Sequence, residues 1–191
     1  SFKNSDSKAV AGVANHLCKE VVTNSACDLQ RGFIKDRQFL LNIIDLDCFA
    51  RGFGMMDVRA VLLPLLVFFD FAAAFPSVAH EWVHRVLRIN SSPLGLRQLV
   101  KSLYRGATAF YEVQGKVLFL FSFLAGMLQG CPLSGTLFAM AMDPFLRLIR
   151  RRIENQALGF CRACADDIGM ALRALDNLKQ VFPIFELAKR V

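Results

Sequence analysis

An apolar run that stops at an aspartate is the feature that most constrains how this chain folds. Residues 61–69 form one apolar run, rich in branched and aromatic side chains, and Asp70 follows directly. This pattern predicts a strand buried on both faces, although Pro64 weakens the prediction for its first half. Residues 160–164 and 168–172 predict two more short strands, joined by a tight turn. We therefore expect strands that end beside acidic residues.

The acidic residues at these strand ends predict a cation site. A carboxylate at the end of a buried strand is costly unless a partner neutralises it, so Asp70 needs one. The turn between the later strands carries Asp166 and Asp167, of which one must be primary, because adjacent strand residues face opposite ways. Oxygen ligands without histidine or cysteine favour Mg²⁺ or Mn²⁺ over zinc. The simpler alternative is that Asp70 caps the following helix and that the other two are ordinary turn residues.

Apolar residues recur at helical spacing over much of the remaining chain. The predicted helices cover residues 6–22, 39–49, 77–90, 96–104 and 134–153. A break at residues 52–54 is expected to end the second helix, and Pro144 is expected to interrupt the last one. Residues 113–117 predict a hairpin turn between two further strands. Because no repeat or linker separates these elements, the expected fold class is α+β, as one interleaved unit.

The composition excludes two classes of protein. Hydrophobic residues make up 54% of the 191 residues, too many for a disordered chain. The longest apolar runs fall short of the ~20 residues that span a bilayer, so no membrane segment is expected. The six cysteines lack regular spacing and no secretory segment precedes them, which predicts reduced thiols in the nucleus or cytoplasm. The CxxC pair, Cys161 and Cys164, lacks two further zinc ligands, so both are expected to be small buried hydrophobes.

The charge of the chain favours contact with phosphates or anionic surfaces. It is +7, from 23 basic and 16 acidic residues. A basic cluster late in the last predicted helix contains Arg147, Arg150, Arg151 and Arg152. This cluster could follow a nucleic-acid backbone, although a solvated helix face explains it more simply.

Five segments, in order along the chain, match the motifs of one family. Residues 69–80 (FDFAAAFPSVAH), 126–134 (GMLQGCPLS) and 164–167 (CADD) resemble the three catalytic motifs of reverse transcriptases of the non-LTR (LINE-like) retrotransposon type. Residues 4–8 and 30–37 are similar to amino-terminal motifs of its fingers subdomain. The ordered set is far more specific than any single piece. It implies a right-hand polymerase fold, with a small antiparallel palm sheet packed with helices and the chain ending before the thumb.

The resemblance also implies an organisation and an activity. Residues 1–60 and 91–125 would be mostly fingers, residues 61–90 and 126–191 mostly palm, and a thumb and an endonuclease would lie outside the chain. The implied activity is RNA-directed DNA synthesis, in which deoxynucleoside triphosphates extend a DNA primer on an RNA template. Two Mg²⁺ or Mn²⁺ ions would assist the phosphoryl transfer.

Site residues follow from the same resemblance. The metal ligands and catalytic residues would be Asp70 and Asp166, with Asp167 secondary. The nucleotide-binding residues would be Arg37, Lys35, Phe75, Gln129 and Gly130. Phe75 would be an aromatic gate against the 2′-hydroxyl of ribonucleotides, with Pro76 holding it in extended backbone.

Simpler roles remain open for several of these residues. Lys35 could be a solvated surface charge, and Phe75 a core ring. The loop at Gln129 could be a turn leading into a helix that Ser134 caps. Arg37 lies in a polar loop outside any apolar pattern, so we expect it to act on the nucleotide and not on the fold.

The chain departs from the family pattern at three positions. Pro76 stands where these enzymes usually carry Asp, Gly135 where the pattern has Pro, and Cys164 where it has Phe or Tyr. None of these changes removes a carboxylate, but loss of the aromatic at Cys164 could loosen the turn that aims Asp166. A catalytically inert, nucleic-acid-binding remnant of the same fold is therefore the alternative. A polymerase that makes RNA is a third, against which the bulky Phe75 argues.

Overall fold

A computed structural model describes residues 5–56 and 63–189. Residues 1–4, 57–62 and 190–191, which include Asn4 of the first motif and the start of the predicted 61–69 strand, lie outside the described residues. The helices are α1 (Ser5–Ser25), α2 (Leu40–Met55), α3 (Ala74–Ser77), α4 (His80–Ile89), α5 (Leu94–Tyr104), α6 (Ser134–Asn155) and α7 (Leu178–Ala188). The strands are β1 (Leu65–Phe69), β2 (Thr108–Val113), β3 (Lys116–Ser122), β4 (Gly159–Cys164) and β5 (Asp167–Leu172).

A three-stranded antiparallel sheet forms the centre of the described chain. Its strand order is β1-β5-β4, with Phe69 paired to Ile168 and Cys164 paired to Asp167. One face packs against α6 and α7 in a core that includes Met170 and Ile149. The opposite face meets α2, whose approach depends on Gly169, where a Cβ would lie 2.5 Å from Leu46 Cδ1. The expected α+β class and small antiparallel palm sheet are confirmed.

Helix α6 connects the two main cores. Its first half carries Leu137 and Phe138 into a cluster with α4 and α5, while its second half carries Leu146 and Ile149 under the sheet. Pro144 lies inside this helix, so the predicted interruption is wrong. A proline removes one backbone donor, and the buried residues on both sides of it keep the helix continuous.

Strand β1 is less buried than its composition predicts. Leu66 is 44% exposed and Phe68 is 69% exposed, so burial on both faces is wrong. The reason is position: β1 is an edge strand, and α2 lies mainly over β4 and β5.

Two predicted helix ends also differ from the structure. Helix α2 continues through Gly52 and Gly54, because each glycine costs only about 1 kcal/mol and the buried Phe53 between them anchors the last turn. The helix predicted at residues 77–90 is divided into α3 and α4. Extended backbone at Val78 and Ala79 separates them, since this stretch pairs with residues 124–126.

The predicted hairpin is confirmed in β2 and β3. Its turn residues Gln114 and Gly115 both have positive φ, at 49° and 73°, which suits the tight turns of twisted hairpins. The whole of β3 is exposed in the described part of the chain.

Candidate active site

The three predicted carboxylates lie at one end of the central sheet. Asp70 directly follows β1, and because Phe69 pairs with Ile168, it lies across from Asp167 at the start of β5. Asp166 is half-buried in the turn between β4 and β5, whereas Asp70 and Asp167 are exposed. The residues that cap the next two helices are Ala73 and Ala79, so the alternative in which Asp70 caps a helix is wrong.

The carboxylates act on one another electrostatically. The pKa of Asp167 is raised, first by partial removal of its carboxyl from water and then by the negative charges of Asp166 and Asp70. The same two effects raise the pKa of the neighbouring Cys164 thiol, where the charges are those of Asp167 and Asp166. Because each added negative charge opposes the next, the end of the sheet favours a cation.

The carboxylates at this end of the sheet fit a metal ion that is also coordinated by substrate and water. Within residues 5–56 and 63–189, no group of three or more His, Cys, Asp or Glu side chains stands close enough to hold a metal. Mg²⁺ in phosphoryl-transfer sites is usually held by one or two carboxylates together with substrate phosphates and water. Asp70 and Asp166 therefore suit a site completed by a nucleotide. Cys161 does not suit a metal site, because complete burial strongly raises the pKa of its thiol and zinc needs the thiolate.

A loop between α1 and α2 covers the open edge of β4. The Ala163 N–H donates to the Leu29 carbonyl at 2.8 Å, and the Arg31 N–H donates to the Ala163 carbonyl at 2.9 Å. The buried Asn42 adds a third hydrogen bond, from Nδ2 to the Ala163 carbonyl at 3.0 Å. Residues 29–31 thus extend the sheet beside the strand that leads into the Asp166 turn.

The same loop contacts the Asp166 turn directly. A Cβ at Gly32 would lie 2.2 Å from the Ala165 nitrogen, so only glycine fits there. Gln30 is 1% exposed, and its Oε1 accepts from the N–H groups of Gly32 and Ala165, both at 2.8 Å. Its Nε2 donates to the Ala165 carbonyl at 3.0 Å. Sequence reasoning missed Gln30, for which the only signal was its place in a turn of the amino-terminal motif.

Arg37 has a structural role that its polar surroundings in sequence do not predict. Its Nη1 donates to the carbonyls of Cys27 at 2.6 Å and Gln30 at 2.7 Å. Its Nη2 donates to the carbonyls of Ala26 at 3.1 Å and Thr23 at 3.2 Å. The expectation that Arg37 contributes little to the fold is therefore wrong, because its guanidinium ties the end of α1 to the loop.

Lys35 is arranged differently from Arg37. Its side chain is exposed, and its Nζ lies 4.0 Å from a carboxylate oxygen of the still more exposed Asp36. A pair at this distance in water contributes little to stability, so the Lys35 ammonium is available to an anionic ligand.

Phe75 lies in α3, close to the acidic end of the sheet. Its half-buried ring stacks on Phe138 at a centroid distance of 4.3 Å and meets the edge of Phe33 at 5.6 Å. The predicted extended backbone is wrong: Phe75 is helical, and the chain instead turns at Ala73, whose φ is 53°. Pro76 is accommodated because it lies in the first turn of the short helix. One face of the ring is thus fixed by the core.

Gln129 and Gly130 lie in an exposed loop that precedes α6. Gly130 has a φ of 74°, and a Cβ at this position would meet no atom within 4 Å, so the backbone is open to a ligand. The start of the loop is tied to α3, since the Met127 N–H donates to the Phe75 carbonyl at 2.8 Å. Ser134 does not cap α6: its hydroxyl donates to the Leu128 carbonyl at 2.7 Å and fixes the end of the loop.

The departure at Gly135 has a local explanation. A Cβ at this position would lie 2.7 Å from Cδ1 of Phe33. The Phe33 ring therefore occupies the space that a proline would need, and it packs on Phe75 and Phe138 instead.

The basic cluster does not form one free patch. Arg147 pairs with Asp143 at 2.6 Å and donates to the Ser25 carbonyl, while Arg150 pairs with Asp28 and Glu154. Arg152 points elsewhere, donating to the Gln180 carbonyl at 3.2 Å. Successive helical residues are rotated by about 100°, so Arg147 faces the end of α1, Arg150 the loop that follows it, and Arg152 faces α7. Arg151 is exposed.

A cavity of about 390 Å³ opens beside the carboxylates, between α2 and the sheet. Asp70, Asp167 and Arg162 contribute to its lining. Arg162 is fixed by Asp45, whose Oδ2 lies 2.9 Å from Arg162 Nε and 2.8 Å from Arg31 Nη2. Partial burial raises the pKa of Asp45, but the hydrogen bonds and charges of the two arginines outweigh it and lower the pKa.

Comparison with known proteins decides the family. Residues 1–189 match the family described as reverse transcriptase (RNA-dependent DNA polymerase). The chain belongs to this reverse transcriptase family. The predicted resemblance to the non-LTR type is confirmed by two relatives from transposable elements.

These relatives of the reverse transcriptase chain are much longer proteins. The chain is 28% identical over 189 residues to the "Transposon TX1 uncharacterized 149 kDa protein" of Xenopus laevis, covering 94% of this chain and 14% of that protein. It is 31% identical over 102 residues to the "Retrovirus-related Pol polyprotein from type-2 retrotransposable element R2DM" of Drosophila melanogaster, covering 52% of this chain and 10% of that protein.

A solved structure supports the reverse transcriptase fold. Apo telomerase from Candida tropicalis, truncated from its C-terminal domain, superposes with a TM-score of 0.55 at 12% identity, covering 93% of this chain and 36% of that one. At this identity the likeness concerns the fold alone. Among the residues that the structure describes, no helix is long and apolar enough to cross a membrane.

Proposed function

We propose that this chain is the fingers and palm portion of an RNA-directed DNA polymerase of a retroelement. The observation that carries the proposal is the meeting of Asp70 with Asp166 and Asp167 at one end of the sheet, in a chain matched to the reverse transcriptase family over residues 1–189. The division into fingers (1–60 and 91–125) and palm (61–90 and 126–191) is part of the proposal. In the longer relatives most of the protein lies outside the matched region, so a thumb and an endonuclease are proposed for flanking sequence.

The carboxylates would hold divalent cations, Mg²⁺ or Mn²⁺. Bound there, two such ions would activate the primer 3′-hydroxyl and neutralise charge on the transferred phosphate. Asp70 and Asp166 are the main ligands. Asp167 is secondary, as the resemblance of residues 164–167 to the third catalytic motif implies.

The remaining residues bind and orient the substrates. Lys35 has an exposed ammonium for the triphosphate, while Arg37 supports the loop behind it. Gln129 and Gly130 place open backbone against the deoxynucleotide and the template base. Phe75, held on one side by Phe138, presents its other side to the sugar. Of the basic cluster, Arg151 is the member best placed to contact the phosphates of the RNA template or DNA primer.

Primer extension tests the proposal. The protein is this chain joined to its natural flanking sequence, with an RNA template, a DNA primer, deoxynucleotides and Mg²⁺. Asp70→Asn and Asp166→Asn should each lower the rate by at least about 10²-fold, since metal ions contribute several kcal/mol to such transition states. Asp176→Asn is the matched control, because this exposed acid pairs with Lys179, far from the site. Near-normal extension by either site variant would show that the site is misassigned.

A catalytically inert, nucleic-acid-binding remnant is the second candidate. It is favoured by Cys164, which replaces the aromatic residue of the family pattern directly before the Asp166 turn. The two candidates separate on one result: an inert remnant binds a primer–template duplex but does not extend it, with either Mg²⁺ or Mn²⁺.

A further inference from the structure

The turn that carries Asp166 depends on a side chain distant in sequence. The Gln30 carboxamide accepts from the Ala165 N–H at 2.8 Å and donates to the Ala165 carbonyl at 3.0 Å. The N–H belongs to the peptide before Ala165, and the carbonyl belongs to the peptide that joins Ala165 to Asp166. One amide group therefore fixes the peptide planes on both sides of Ala165.

The backbone of the turn needs such support. Ala165 has a φ of 57°, in the left-handed region, which strains the backbone of a residue with a Cβ. A rotation of either peptide would relieve this strain and would change the direction of the Asp166 side chain. Such a rotation would break the hydrogen bonds between Ala165 and the buried Gln30 carboxamide. It is therefore opposed, because each buried polar group left without a partner costs free energy comparable to a lost hydrogen bond.

Gln30 is itself held firmly. Its side chain is 1% exposed, and Oε1 also accepts from the Gly32 N–H at 2.8 Å. Its carbonyl accepts from Arg37 Nη1 at 2.7 Å, and its N–H donates to the Cys27 carbonyl at 3.1 Å. A parallel bridge joins it to Ala163 on β4. The carboxamide is therefore held in one position and orientation beside the turn.

We propose that Gln30 is a positioning residue that aims Asp166 by fixing the two peptides around Ala165. This inference rests on the proposed polymerase function and deepens it. None of the hydrogen bonds that Gln30 makes to the turn uses the Cys164 side chain, so the turn is held although the family's aromatic residue is missing there. Gln30 touches no reacting atom, and its effect on the reaction passes through the backbone of Ala165.

Amide hydrogen exchange and Mn²⁺ titration by NMR test the inference on the chain itself. In the wild type, the Ala165 amide should be protected from exchange, as is expected of Met170 in the core. Gln30→Met keeps the length of the side chain and removes its hydrogen bonds, so protection should fall at Ala165 and Gly32 but not at Met170. Broadening of the Asp166 amide signal should need about 10- to 100-fold more Mn²⁺, the usual effect of losing an outer partner of a metal ligand.

Two further variants separate positioning from packing. Gln30→Glu retains an oxygen acceptor for the Ala165 N–H. The Ala165 amide should therefore be better protected from hydrogen exchange in Gln30→Glu than in Gln30→Met. A role in filling space alone predicts the reverse order, since methionine fills the site without burying a charge. Asn177→Ala is the matched control: it removes an amide-to-carbonyl hydrogen bond of 3.0 Å, to Leu158, at the far end of β4. It should leave both readouts at the turn unchanged.

Kinetics complete the test. In primer extension by the chain with its flanking sequence, Gln30→Met should lower kcat by about 10- to 100-fold with little change in the deoxynucleotide KM. An unprotected Ala165 amide in the folded wild type, or a folded Gln30→Met variant with unchanged Mn²⁺ response and kcat, overturns the inference. A wild-type protein that extends no primer overturns the proposed function instead, and exchange and Mn²⁺ binding still decide the role of Gln30.

Discussion

Replacing Arg37 with alanine should destabilise the fold before it affects nucleotide binding. The guanidinium donates four hydrogen bonds, all to backbone carbonyls, and these join the end of α1 to the loop that supports the Asp166 turn. Without the side chain, the carbonyls at Cys27 and Gln30 lose a charged donor. The loop that carries Gln30 and Gly32 would then be held less firmly against Ala165.

The size of the effect follows from the contacts. A hydrogen bond from a charged donor contributes about 1.5–3 kcal/mol in a well-buried setting. Arg37 is only half-buried, so water can replace part of what is lost, and effects on neighbouring bonds do not add. We therefore expect a loss of about 3 kcal/mol in the free energy of unfolding. For a chain of 191 residues, this corresponds to a fall in Tm of roughly 6–12 °C.

Thermal and urea unfolding followed by circular dichroism measure this loss. Lys35→Ala is the matched control, a cation from the same loop whose ion pair with Asp36 is exposed and 4.0 Å long, and its Tm should change by less than about 2 °C. Arg37→Lys should recover only part of the stability, because an ammonium cannot reach four carbonyls. A Tm within about 2 °C of wild type for Arg37→Ala, together with a raised deoxynucleotide KM, would refute this reasoning.

Three further predictions concern the same end of the sheet. Gly32→Ala should abolish primer extension or prevent folding, because its Cβ would lie 2.2 Å from the Ala165 nitrogen. The control Gly95→Ala, in α5 with open space around it, should leave extension unchanged and should not lower Tm. Phe75→Val should cost about 1–3 kcal/mol, seen in urea unfolding, because its ring stacks on Phe138. If the ring is also the sugar gate, ribonucleotides should be incorporated, and unchanged selectivity in the folded variant would eliminate the gate. Asp167→Asn should raise Tm at neutral pH, because a carboxyl whose folded pKa is raised opposes folding when ionised. This advantage should disappear as the pH falls below the ordinary aspartate pKa, and a constant difference across pH would contradict it.

The local pattern of the chain was sufficient to predict much of this structure. The strands at 160–164 and 168–172, the Gln114-Gly115 turn and most helices depend on side-chain period and turn residues, which are properties of neighbouring positions. The meeting of Asp70 with the turn that carries Asp166 and Asp167 was also predictable, and it is brought about by antiparallel pairing, which places the end of one strand beside the start of the other. The ordered motifs were enough to predict the family.

Other features were decided only by the tertiary structure. Gln30 and Ala165 are 135 positions apart, so no local period connects them, and they meet because the loop extends the edge of β4. Only one face of β1 is buried, because this strand lies at the edge of the sheet. The structural role of Arg37 depends on four backbone carbonyls, and the folded loop determines the direction in which these carbonyls point. Sequence determines which segments form strands, helices and turns, whereas the partners of a buried polar side chain are set by which backbone groups the assembled fold leaves unpaired.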